Sequence, residues 1–445
     1  MSISLQIQRA VRTGLLLLAC LAPPLAAQQN AAEEAEAAER ARAVALADSI
    51  RATLVQPEGS KGYSPALLVR APFQLFGALL GVIAGIGYVG YQALDETGTL
   101  DLLNAADRDL EALGVDAGVR NLGSRSGPAL FARWRGGPVF VEAGRSWRGY
   151  TLARGGLMVG DTTKGVELVA ERRHMNQLHF WGIGPDSDAD DKSDYAHTRR
   201  ELGGMARVRL LPHVRVAAGG AWEEDVTGRG HDAAAPDLQD RFCCTLPYGS
   251  TGTDTWARVD AALDLDFTWI GGPYQLHGAR LLTEWSGYRG RDGTDSRFQI
   301  GSTDLRIFLP LNDRQAFALR GLAMDTFGEE GNGIPLYYLP ALGGENGLRG
   351  QTSWRLRDKA LLAGMAEWRY QIWWHPGDPI YRLDGFAFVD HGAVGSSLDA
   401  IAAGDFDTSR GLGIRFVSHG IGKVEGFVAL GGDNARVGFN LGASF

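Results

Sequence analysis

The stretch LGGENGLRGQ, residues 342 to 351, sets one arginine, Arg349, among Gly343, Gly344, Gly347 and Gly350. Glycine at that density marks unusual backbone angles or close packing, so the tip of this loop is expected to fold onto something. The chemistry open to an arginine held there is narrow. Its guanidinium stays charged and presents a planar fork of donors suited to carboxylates, a contact that lysine cannot copy. Two acids are placed to receive it: Asp390 in AFVDHG, residues 387 to 392, and Glu367 in LLAGMAEWRYQIWW, residues 361 to 374. The expected chemistry is ion pairing and not catalysis. The chain contains no nucleophile elbow and no phosphate-binding glycine loop, and no enzymatic activity is expected of it.

Other residue groups are weaker candidates. Asp186, Asp188, Asp190 and Asp191 in GPDSDADDKSD have the oxygen ligands that calcium uses, but an acidic loop in water is the simpler reading. Cys243 and Cys244 are adjacent, so a disulfide between them would close a strained ring, and they read as loop residues. None of the nine histidines falls at metal-ligand spacing from the pair, and no metal or cofactor is expected. The formal net charge is -8, with no cluster of Lys and Arg, which excludes broad nucleic-acid binding.

The elements that would position these residues are strands. The chain has 61 glycines in 445 residues, well above a usual share of roughly 7%, which favours turns and strands that accept small residues. From about residue 113 to 445, segments of roughly ten residues alternate in polarity and are separated by turn residues. In RVGFNLGASF at the C-terminus, Val437, Phe439, Leu441, Ala443 and Phe445 share one face, and Gly438, Asn440, Gly442 and Ser444 the other. In residues 361 to 374, Leu362, Gly364, Ala366, Trp368, Tyr370, Ile372 and Trp374 oppose Met365, Glu367, Arg369 and Gln371. An apolar outer face and a small or polar inner face is the pattern of a transmembrane antiparallel β-barrel, and the aromatic residues around HPGDP suit its interfacial girdle. Counting back from the C-terminus predicts about sixteen strands in an all-β fold. Short turns at residues 211 to 212, 270 to 273, 310 to 314, 375 to 379 and 419 to 422 alternate with long loops near 174 to 193, 225 to 254, 327 to 356 and 393 to 407. This asymmetry is that of outer-membrane barrels and puts both ends of the barrel sequence in the periplasm.

Ahead of the barrel, residues 1 to 27 have the layout of a cleaved secretory signal peptide: Arg9 and Arg12, an apolar run, then small residues. Residues 28 to 112 read as a short helical periplasmic or membrane-associated segment. Within it, residues 73 to 91 carry no charge and are long enough to span a bilayer. Gly77, Gly81 and Gly85 line one face of that run, which suits close helix contact. A membrane anchor and a helix beside the mouth of the barrel remain the two readings.

Three motifs carry a resemblance to a known family. The stretch 342 to 351 resembles the loop signature of the BamA/TamA superfamily of outer-membrane assembly and secretion barrels, the bacterial surface antigen type. Its core is an Arg-Gly pair after an apolar residue, here Leu348, Arg349 and Gly350 behind Gly343 and Gly344, with Gln351 where the family usually has an aromatic residue. Residues 388 to 392 resemble the family's Phe-x-Asp-x-Gly strand motif through Phe388, Asp390 and Gly392. The terminal Phe445, with Phe439 and Leu441 on its face, resembles the recognition signal read during barrel insertion. The resemblance implies that Arg349 lies inside the barrel, with Asp390 as its main partner and Glu367 as its second. It also implies an outer-membrane location, outer-membrane lipid as surroundings, and client outer-membrane proteins and a periplasmic protein as partners. Residues 28 to 112 do not read as the periplasmic POTRA domains of that family. The function expected is assistance to protein insertion or translocation at the outer membrane, and the alternative is a passive channel or structural barrel without assembly activity.

Overall fold

The computed structural model describes residues 113 to 445, except 124 to 125, 162, 272 to 274, 345 to 346, 375 to 381, 403, 419 to 421, 433 and 442 to 445. The signal peptide, helices and apolar run expected over residues 1 to 112 therefore lie outside the described residues. The strands are β1 (Val115–Asn121), β2 (Pro128–Gly136), β3 (Val139–Ser146), β4 (Thr151–Gly160), β5 (Lys164–Phe180), β6 (Ser193–Leu211), β7 (Val214–Arg229), β8 (Gly252–Asp266), β9 (Trp269–Gly271) and β10 (Gln275–Arg291). They continue as β11 (Ser296–Asn312), β12 (Gln315–Gly331), β13 (Ala341–Leu342), β14 (Leu356–Arg357), β15 (Ala360–Trp374), β16 (Arg382–Gly395), β17 (Asp407–Ser418), β18 (Gly422–Gly431) and β19 (Asn434–Leu441). Two single-turn helices, α1 (Leu238–Arg241) and α2 (Leu398–Ala402), sit in long loops.

Seventeen strands form one antiparallel sheet, and β13 pairs with β14 in a small sheet of its own. The seventeenth is β9, which prolongs β8 along the same neighbour, β10. The break between them falls where the Asp266 carboxylate accepts from the Thr268 N–H at 3.1 Å and from its hydroxyl at 2.6 Å, turning the backbone out of the ladder. Within the large sheet the pairing follows sequence order from β1 to β19, with β8 and β9 both on β10 and β12 joined directly to β15, and the sheet curls into a barrel. β1 and β19 come within 8 Å of each other, Cα to Cα, yet no ladder joins them among the described residues.

Alternation along the strands sorts side chains between the two faces. Glu142, Glu223, Glu367, Asp390, Arg415 and Glu425 are buried inside, while Leu130, Leu168, Leu202, Val389, Val437 and Phe439 are exposed outside. The interior is thus charged and the exterior apolar. Turns of two or three residues close one end, as between β2 and β3, β6 and β7, and β11 and β12. The other end carries the long connections 181 to 192, 230 to 251, 332 to 359 and 396 to 406, and is called the loop end below.

The hydrophobic core lies inside the barrel, around the loop 332 to 359. Leu342, Leu348 and Leu356 of the loop 332 to 359 pack on Phe308, Leu361 and Met365 of the wall, among others. The same loop sends Ile334, Tyr338 and Leu339 against Trp256, Tyr288 and Phe298. The loop-end strands run several residues further than alternation predicts, β5 to Phe180, β7 to Arg229 and β12 to Gly331. There the polar and glycine residues that read as loop are held in register by their neighbours' backbone, as in Arg297↔Glu330 and Ser296↔Gly331.

Candidate functional site

The loop between β12 and β15 enters the lumen and turns back at Arg349. Gly343 and Gly344 take φ of +120° and +65°, and a Cβ on Gly343 would stand 2.2 Å from the Thr352 carbonyl oxygen, so both positions need glycine. The tip is a β-turn in which the Gln351 N–H donates to the Leu348 carbonyl at 3.0 Å. The same carbonyl accepts from the Gly344 N–H at 2.9 Å, which ties the turn to the double glycine. Leu348 is fully buried and fixes the turn in the core. At Gly350 the backbone comes so close to β17 and β18 that an added Cβ would lie 2.8 Å from Ser409 Oγ and 3.1 Å from Gly431 Cα. The Gly350 N–H donates to Ser409 Oγ at 3.1 Å.

This backbone delivers Arg349 to β15 and β16. Its Nε and Nη2 donate to the two oxygens of Asp390 at 2.9 and 2.6 Å, and its own backbone N–H adds a third bond to Asp390 at 3.0 Å. Nη1 donates to Glu367. The register pairs Met365 with Asp390 and Glu367 with Phe388, so the two acids are diagonal neighbours on adjacent strands and one guanidinium bridges them. The ring of Phe388 lies 3.6 Å under the guanidinium carbon. Gly392 packs on Ala363 and Leu342 beside the loop. Phe439 faces outward on β19, Leu441 ends that strand, and Phe445 lies outside the described residues.

The site is larger than the sequence motifs. Glu367 also accepts from Arg369 Nε at 2.9 Å and Arg415 Nη2 at 3.1 Å, and Arg415 reaches Glu425 at 2.8 Å. Three arginines and three acids thus alternate through a buried network. Charges removed from water need this pairing, because an ion left alone there is costly.

A second anchor of the same loop was not foreseen from sequence. The Tyr338 hydroxyl lies 2.6 Å from a Glu223 oxygen and 2.8 Å from an Asp225 oxygen, both on β7, which share its one proton. The Tyr337 hydroxyl donates to Asp254 on β8 at 2.7 Å. Arg199 on β6 reaches Asp225 at 3.0 Å and lies 4.8 Å over the Tyr338 ring. Arg357 donates to the Tyr195 hydroxyl at 3.1 Å. The loop is therefore fixed to two stretches of wall, β6 to β8 and β15 to β17, which are separated in the ladder by β10, β11 and β12.

The remaining candidates are structural in place. The Asp188 side chain accepts from the Asp190 N–H at 2.9 Å, and Asp191 pairs with Arg241 at 2.6 Å. Cys243 and Cys244 are exposed free thiols in the loop after α1.

No protein-family model matches the chain, and no curated protein matches it in sequence. Solved structures do. BamA from Haemophilus ducreyi lacking POTRA domains 1–3 is similar at a TM-score of 0.52 and 13% identity, over 76% of each chain. CdiB from Escherichia coli matches at 0.47 and 14% identity over 73% of this chain and 60% of its own, and CdiB from Acinetobacter baumannii at 0.45 and 10% over 73% and 59%. The fold is that of a BamA-like antiparallel barrel.

Proposed function

We propose that this chain is an outer-membrane barrel of the BamA/TamA type that assists the insertion or translocation of proteins at the outer membrane. The observation that carries the reading is the seam: β1 and β19 lie side by side with no ladder between them among the described residues. Such edges offer unpaired N–H and C=O groups, and an incoming unfolded strand can add to them one hydrogen bond at a time. The apolar exterior supports a bilayer as the surroundings, since it would be unstable in water over this extent. The fold shared with BamA supports the same reading.

In this mechanism no bond is made or broken in the client and no cofactor takes part. The free energy comes from the client itself, which gains hydrogen bonds and lipid contact as its strands leave water. The Arg349 network keeps the wall beside the seam in shape while the seam opens. Lipid, client outer-membrane proteins and a periplasmic delivery protein are the partners of this reading.

The test is a folding assay with purified protein in liposomes and an unfolded small barrel as client. Faster client folding than in empty vesicles is expected. No acceleration by protein shown to be folded would favour the alternative, a passive barrel held shut by its lumenal loop.

A further inference from the structure

A cavity of about 500 Å³ opens at the loop end, where the connection between β5 and β6, the tip of the lumenal loop and the β18–β19 hairpin meet. Trp181, Lys192, Gln351, Thr352, Arg355 and Arg436 supply most of its lining side chains, and among the described residues no carboxylate lines it. Three cations, one from each of these segments, point to an anion.

The cations are held in place by the fold. Arg355 donates to the Ser187 hydroxyl at 2.8 Å and to its carbonyl, with its guanidinium carbon 5.8 Å from the Trp181 ring. Arg436 donates to the carbonyls of Gln351 and Arg349. Lys192 lies 3.4 Å from Asp232, a carboxylate engaged more closely by His179 at 2.7 Å. Long side chains fixed in the free protein lose little freedom on binding, which favours a multiply charged ligand. Phosphate oxygens match such donors best. The volume lies in the range of small-molecule sites and exceeds what one phosphate fills, while Gln351 and Thr352 offer neutral partners for hydroxyl groups.

We propose that this cavity binds a phosphorylated sugar. The ligand is either a free sugar phosphate or the headgroup of a lipid that carries one, and the site is independent of any insertase activity. Isothermal titration of the folded full-length chain in neutral detergent tests it with glucose 1-phosphate, inorganic phosphate and glucose. Glucose 1-phosphate is expected to bind, inorganic phosphate more weakly, and glucose not at all. Lys192→Gln and Arg355→Gln should each weaken the first by about tenfold, as loss of one charge-assisted contact does. Added salt should weaken it further. Absence of binding at millimolar glucose 1-phosphate, or unchanged affinity in both variants when folded, overturns the proposal. Competition separates the two sources. Neutral vesicles carrying a sugar-phosphate lipid displace the soluble ligand if the headgroup is the natural one, and leave it bound if the free compound is.

Discussion

Arg349 joins three pieces of chain through one guanidinium, and its removal leaves Asp390 and Glu367 facing each other in the lumen. Arg349→Ala is expected to cost about 3 to 5 kcal/mol, as breaking a buried pair does. The urea midpoint of the folded protein in detergent checks this, and a wild-type midpoint would remove the network from the account of stability. Arg349→Lys keeps the charge but cannot span both acids, so it should recover only part of the loss. Tyr338→Phe keeps the ring and deletes a donor shared by Glu223 and Asp225, for an expected loss of about 1.5 to 3 kcal/mol. The two acids of the first network were legible because alternation alone puts Glu367 and Asp390 on inner faces. Arg415 and Glu425 obey the same alternation, but their pairing depends on strand register, which turn geometry and neighbours decide. Tyr337 and Tyr338 lie in a loop with no period, and nothing local to them names a partner more than eighty residues away.

The lumenal loop is specified as an element by its backbone. The base of its inner hairpin is clamped by β13 and β14, its double glycine has left-handed angles, and Trp354 is held at φ +60°. Gly343→Ala therefore combines a strained angle with a collision at Thr352, and a loss of about 1 to 3 kcal/mol is expected for the angle alone. The readout is protease sensitivity of the loop in an otherwise intact barrel; resistance equal to wild type would show that the loop tolerates a Cβ there. The glycine cluster signalled this in the sequence. The extra length of the loop-end strands did not show, because neighbouring backbone and not residue pattern extends them.

At the scale of the whole molecule, the strands differ greatly in support. β5, β6, β10, β11 and β12 are seventeen to nineteen residues long and paired on both sides, while β1 and β19 have seven and eight residues and, among the described residues, a ladder on one side only. Amide hydrogens of β1 and β19 are expected to exchange at least about tenfold faster than those of β10 to β12, as expected for the least stable part of a structure. Equal protection by mass spectrometry would mean that the seam is zipped in solution. A cylinder slit along its length ordinarily unrolls. Here the lumenal loop is a tie-beam: Tyr338 to Glu223 and Arg349 to Asp390 fasten its two anchors to distant parts of the wall, across 115 and 41 residues of sequence. The wall's curvature is thus held from within, and the load of keeping the barrel round falls on a few buried side chains.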